Sequence, residues 1–107
     1  KAMTTVNAKF AVGQVVLHKL FDYRGVIIDV DSHFRGDQSW YDTVALSRPP
    51  KDLPWYHVLV DGADQRTYVA ERNMEADETA APVRHKDIGL YFEGFDENGY
   101  VILKKHN

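Results

Sequence analysis

A small, mainly β domain is predicted, with antiparallel strands rolled into a barrel and one short helix inserted between them. Three observations predict it. Short β-prone runs at 15–18, 24–30, 55–60, 65–69 and 100–103 are each bounded by turn residues. The strands do not alternate with long helical periodicities, so a parallel βαβ sheet is excluded. A chain of 107 residues supports one modest core, and rolling up the sheet would remove exposed edges.

The elements follow in order. Residues 1–8 read as a mobile lead-in. Gly13-Gln14 makes a turn, and Val15, Val16 and Leu17 begin the first strand. Leu20-Phe21-Asp22-Tyr23 is a bend carrying two aromatics. In the strand 24–30, Val26, Ile28 and Val30 should share one face, with Ile27 and Asp29 on the other. Gly25 at its head suits a bulge or a close backbone approach. Residues 31–38 are polar loop. Ser39 followed by Asp42 has the form of a capping box, and Trp40, Tyr41, Val44 and Ala45 recur at near-helical spacing, so a helix over 40–46 is expected. Pro49-Pro50 ends it.

Leu53-Pro54 leads into a strand from Trp55 to Val60, Asp61-Gly62-Ala63-Asp64 turns, and 65–69 returns as the second arm of a hairpin. Residues 70–74 read as a turn of 3₁₀ or α-helix. The acidic, small-residue stretch 75–82 reads as linker. Residues 87–95 are aromatic-rich and fit either strand or helix. Asn98-Gly99 is a hairpin turn before a last strand at 100–103. The expected organisation is a lead-in (1–8), a β domain (9–76), a linker (77–82) and an aromatic extension (83–107) that packs on the domain or on a neighbour.

Composition removes several function classes. There is no cysteine, so disulfides, thiolate metal sites and cysteine nucleophiles are absent, and a reducing compartment such as the cytoplasm fits. No run reaches the ~20 apolar residues of a membrane helix. His18, His33, His57, His85 and His106 show no ligand spacing, so no metal site is expected. Ser32, Ser39 and Ser47 sit in no nucleophile elbow, and the glycines form no phosphate loop. Asp29 and Asp31 would share a face if their strand continues, which could serve acid–base chemistry or simply cap a loop. The net charge is -3; residues 54–107 carry 6 basic against 10 acidic groups. That balance disfavours non-specific binding to phosphates.

The cluster Trp55-Tyr56-His57 and the corner Glu71-Arg72-Asn73 are the candidate recognition features. Alternation along the strand puts Trp55, His57 and Leu59 on one face, and Tyr56, Val58 and Val60 on the other. Trp55 and Tyr56 are therefore either core or part of an aromatic patch, because aromatics beside arginine favour interfaces and stacking.

Four blocks then carry a family resemblance: Phe10-Ala11-Val12-Gly13-Gln14-Val15-Val16-Leu17-His18; Tyr23-Arg24-Gly25-Val26-Ile27-Ile28-Asp29-Val30-Asp31; Pro54-Trp55-Tyr56-His57-Val58-Leu59-Val60; and Thr67-Tyr68-Val69-Ala70-Glu71-Arg72-Asn73-Met74. Together they resemble the YccV-like family, named for hemimethylated-DNA binding, over about residues 9–75. The third and fourth blocks together are quite specific. The first is not, since other small SH3-like barrels open similarly. The resemblance implies a small SH3-like antiparallel β-barrel without enzymatic activity or cofactor. It implies two alternative roles: a heat-shock-type adaptor or enhancer of an ATP-dependent, Lon-type protease, or a reader of hemimethylated DNA. The acidic balance favours the protease, or its protein substrates, as partner. Trp55, Tyr56, His57, Tyr68, Glu71, Arg72 and Asn73 are the expected partner- or DNA-binding residues. The aromatic tail and open strand edges leave self-association open.

Overall fold

The computed structural model describes residues 7–79 and 81–104; the lead-in expected at 1–8 lies mostly outside them. Five strands form one antiparallel sheet: β1 (Val15–His18), β2 (Arg24–Asp31), β3 (Trp55–Val60), β4 (Arg66–Ala70) and β5 (Met74–Ala76), in the order β4-β3-β2-β1-β5. A helix α1 (Gln38–Val44) lies between β2 and β3. A short helix α2 (Ile88–Tyr91) precedes a separate hairpin of β6 (Phe92–Asp96) and β7 (Gly99–Ile102).

A 3₁₀ turn, Glu71–Asn73, carries the chain from β4 at one edge of the sheet to β5 at the other. Edges of a flat five-stranded sheet stand about 19 Å apart, while three residues of 3₁₀ helix advance only about 6 Å. The sheet must therefore curl until its edges nearly meet. The Lys19 amide donates to the Asn73 carbonyl at 2.8 Å, and the Glu71 amide to the Pro54 carbonyl at 3.1 Å, pinning the turn at both ends. Among the described residues no ladder joins β4 to β5, so the sheet is open, and the expected closed barrel is not formed by backbone pairing.

Curling gives the sheet two buried faces. The inner one holds Val16, Ile27, Tyr56, Val58, Val69 and Met74. On the outer one, Val15, Val26 and Leu59 are covered by Val83 and Phe92 of the C-terminal segment. The extension thus packs on its own sheet. A third cluster joins Trp55, Tyr41 and Ala70, flanked by Phe34, Trp40 and Tyr68. β3 is consequently buried along both faces, with only His57 partly open.

Three local expectations need correction. A bulge in β2 shifts the register between Ile27 and Asp29. It places Val26 and Ile28 in the outer cluster but Val30 with Ile27 in the inner one, because an extra residue reverses the alternation. Gly25 answers to close approach: a Cβ there would lie 2.4 Å from Val58 Cγ1 and 2.6 Å from the Leu59 carbonyl. The cap of α1 is Asp37, whose carboxylate accepts from the Trp40 amide at 2.8 Å; Ser39 donates to that carboxylate instead of capping. Finally, the start of the supposed linker is β5, in which Glu75 and Ala76 pair with Leu17 and Val16.

Candidate functional site

Tyr68 sits at the centre of the aromatic cluster. Its ring lies 5.2 Å from that of Trp55 and 4.5 Å from that of His57. Its hydroxyl donates to Asp31 Oδ2 at 2.7 Å and accepts from the Arg35 amide at 3.0 Å. His57 Nε2 reaches the same Asp31 oxygen at 3.1 Å. Burial alone would raise the Asp31 carboxyl, but the bonds from Tyr68 and His57 outweigh it and hold the group below its usual range. Burial, reinforced by the bond to Asp31, pushes the Tyr68 phenol up. The network therefore keeps a charged carboxylate and neutral phenol at neutral pH, and fixes the Tyr68 ring against Trp55.

Beside this cluster runs a groove of about 430 Å³ that follows β4 along its whole length, from Arg66 to Ala70. One wall is the β1–β2 turn, with Leu20 and Phe21; the other is the end of α1 and its sequel, with Val44 and Leu46. These four side chains are exposed, Phe21 at 74% and Leu46 at 77%. β4 pairs only with β3, and among the described residues no further backbone bond reaches its outer edge. The groove thus combines an unpaired strand edge with apolar walls.

The expected site residues divide. Trp55 and Tyr56 are 1% and 0% exposed, so both rings are core; Trp55 also forms part of the groove's lining, and Tyr56 does not. Trp55 donates its indole N–H to the Pro50 carbonyl at 3.0 Å. Tyr56 donates to Glu71 Oε2 at 2.5 Å, and the same oxygen accepts from the Lys9 amide at 2.8 Å; Glu71 is thereby tied to the fold. Arg72 donates to the Ser47 carbonyl and Asn73 to the Ser47 hydroxyl, clamping the loop after α1. Trp55, His57, Tyr68 and Asn73 line the groove, whereas Tyr56, Glu71 and Arg72 do not. Sequence reasoning missed Leu20, Phe21, Val44 and Leu46 as wall residues. The signal was present in the two apolar side chains of a bend and in Leu46, which lies just past a helix too short to bury it.

Asp29, Asp31 and His57 bring ligand-type atoms within 4.8 Å of one another, a juxtaposition that histidine spacing along the chain could not show. The β2 bulge turns both carboxylates toward the His57 face. Asp29 accepts from the Val30 amide at 2.9 Å, and Asp31 is bonded to His57 and Tyr68, so the cluster is satisfied internally. No helix among the described residues is long and apolar enough to cross a membrane.

Fold and site together define a small antiparallel β module with an apolar groove along an open sheet edge. The family model described as hemimethylated DNA-binding protein YccV-like matches residues 8–99. The chain belongs to the YccV-like family. The match continues through α2 and β6, well past the blocks on which the resemblance was read.

Proposed function

We propose that this chain is a non-enzymatic, cytoplasmic protein-interaction module that acts as adaptor or enhancer for an ATP-dependent protease of the Lon type. Its groove takes an extended apolar segment of a protein partner. The observation that carries this reading is the unpaired β4 edge between apolar walls. A segment laid there would add main-chain bonds to β4 and send alternate side chains against Leu20 and Phe21 on one side and Leu46 on the other. The strand order, with a 3₁₀ turn passing from edge to edge, supports an SH3-like barrel whose seam is left for that segment.

The family description favours a second reading, binding of hemimethylated DNA. On that reading the groove's aromatics would contact a methylated base and nearby basic groups the backbone. The net charge of -3 weighs against it, because affinity for duplex rests on neutralised phosphates.

The test compares wild type with Phe21→Glu and Leu46→Glu. Each is assayed for binding a labelled, unfolded apolar peptide, for stimulation of substrate turnover by the protease, and for binding unmethylated, hemimethylated and fully methylated duplexes over a salt series. The proposal expects peptide binding and stimulated turnover, both lost in the variants. Preference for the hemimethylated duplex, without an effect on turnover, establishes the second reading and sinks the first.

A further inference from the structure

The groove wall formed by Leu20 and Phe21 hangs on one ring nitrogen. β1 ends at His18, whose side chain is 6% exposed. Its ring stacks on Phe21 at 4.8 Å and on Tyr23 at 5.1 Å. His18 Nδ1 accepts from the amides of Leu20 and Phe21, both at 3.1 Å. Two further amides of the turn are held by backbone: Lys19 donates to the Asn73 carbonyl and Asp22 to the His18 carbonyl, each at 2.8 Å. A side-chain acceptor serving the amides two and three residues on does the work of a helix N-cap, here with an imidazole in place of a carboxamide.

That role requires a lone pair on Nδ1, which fixes the ring as the neutral tautomer with its proton on Nε2. An imidazolium is a donor at both nitrogens. It would lose both bonds and set an N–H against two N–H groups.

We infer that His18 is the positioning residue of this wall, and that its protonation releases the Leu20–Phe21 turn and weakens binding in the groove. The inference deepens the protein-segment reading above and rests on it for the binding consequence. Burial already disfavours the charged ring and lowers its pKa from 6.5. The sign follows. The closed turn holds the neutral ring, the open turn protonates near the ordinary value, and closure is lost progressively as pH falls below 6.5. Each unit separating the two forms limits the effect to about tenfold.

The charged and titratable residues of the segments packed beside His18 are Lys19, Asp22 and Tyr23 in its own turn, Arg24 at the head of β2, Arg72 in the 3₁₀ turn and Glu75 in β5, of which Tyr23 stacks on its ring and Glu75 pairs with the neighbouring Leu17. Arg24 is engaged by Asp61 and Asp77, and burial raises the Tyr23 phenol away from the neutral range. His57 is the other imidazole lining the groove, and it receives its own control.

The experiment measures binding of the labelled apolar peptide from about pH 5 to pH 8, the span over which histidine changes charge. The proteins are wild type, His18→Asn and His57→Gln. Asparagine can accept from the same two amides but does not titrate. Wild type and His57→Gln should lose affinity severalfold in acid; His18→Asn should bind nearly independently of pH. Equal acid loss in His18→Asn, or no acid loss in wild type, overturns the inference. A second readout, on the wild type alone, needs neither the variants nor the peptide. Nitrogen shifts of the His18 ring should report the Nε2–H tautomer at neutral pH, and the Leu20 and Phe21 amides should titrate with that ring. An Nδ1–H tautomer, or amides indifferent to its titration, also overturns the inference. Absence of peptide binding at pH 8 alongside the expected ring and amide titration would instead discard the protein-segment reading and leave the role of His18 in the turn intact.

Discussion

Replacing Trp55 by alanine removes the ring shared by β3, α1 and the loop before it. The ring is 1% exposed and lies 4.9 Å from Phe34, 5.2 Å from Tyr68, 6.1 Å from Trp40 and 6.2 Å from Tyr41. Truncating a buried tryptophan costs about 3–5 kcal/mol. Four aromatic neighbours and the indole bond to Pro50 put this site at the upper end of that range, about 4–5 kcal/mol. A domain of this size has about 5–15 kcal/mol in all, so the variant should lose about a quarter or more of it, with a midpoint at least about 15 °C lower. Trp55→Phe keeps most of the ring and loses the bond to Pro50, so its cost should be only about 1–2 kcal/mol. Urea unfolding followed by far-ultraviolet circular dichroism measures both. If Trp55→Ala costs less than about 1 kcal/mol, the ring is not core, and the burial argument fails with it.

Gly25→Ala should destabilise the fold by about 1–3 kcal/mol, since its Cβ would meet Val58 and a Leu59 carbonyl; thermal unfolding checks this, and a neutral result would disprove the close approach. Glu71→Ala leaves the buried Tyr56 hydroxyl without its acceptor, at a cost of about 1–3 kcal/mol, and should also raise hydrogen exchange at the Lys9 amide. Burial and bonds to Glu71 and Asp31 raise the Tyr56 and Tyr68 phenols above their ordinary value of 10. Their contribution to stability is complete below pH 10 and lost as pH climbs beyond it, so in a phenolate difference titration Tyr56 and Tyr68 should ionise only as the protein unfolds. In acid the sign reverses. Asp31 and Asp77 overcome a burial penalty through hydrogen bonds, Asp31 from Tyr68 and His57 and Asp77 from Thr79 and Arg24, and titrate below 3.8. Their stabilisation is present above that pH and fades below it, which denaturant midpoints measured across acid pH would register.

What was legible in the sequence was what local chemistry decides. The run Trp55–Val60 is a strand in the structure with the same bounds, because β-branched and aromatic residues lie between a proline and an Asp-Gly turn. Asn98-Gly99 likewise set the last hairpin, Gly99 adopting φ 110. Errors arose where the outcome depends on a partner distant in sequence. β5 contains only three residues, and their own composition reads as loop; β1 makes them a strand. The β2 bulge follows from fitting seven residues of β2, Gly25 to Asp31, to the six of β3, which no reading of β2 alone could supply. The helix cap moved from Ser39 to Asp37 because a carboxylate two residues earlier can reach the Trp40 amide. Of the site, Tyr68 and His57 were legible as aromatic and polar groups on neighbouring arms of one hairpin. The groove was not, since its walls come from residues 20–21 and 44–46, and only the curled sheet brings them to β4.

An open strand edge is a liability that folds usually blunt, and the treatment of the sheet's two edges differs here. β5 is three residues long and ends at Glu75 and Ala76, with Asp77 following. A short acidic edge of that kind recruits no further strand. β4 is five residues long, and only Arg66, at its start, is charged. That charge is engaged by its neighbours, donating to Tyr91 at 2.5 Å and to Asp87 at 2.8 Å. The rest of β4 is Thr67, Tyr68, Val69 and Ala70, with an apolar wall on either side. Nothing in the local chemistry guards this edge except the confinement of the groove itself, whose size suits the single extended segment proposed for it better than a second sheet. The contrast between a short, acidic β5 edge and an accessible β4 edge is what the proposed capture of one strand requires.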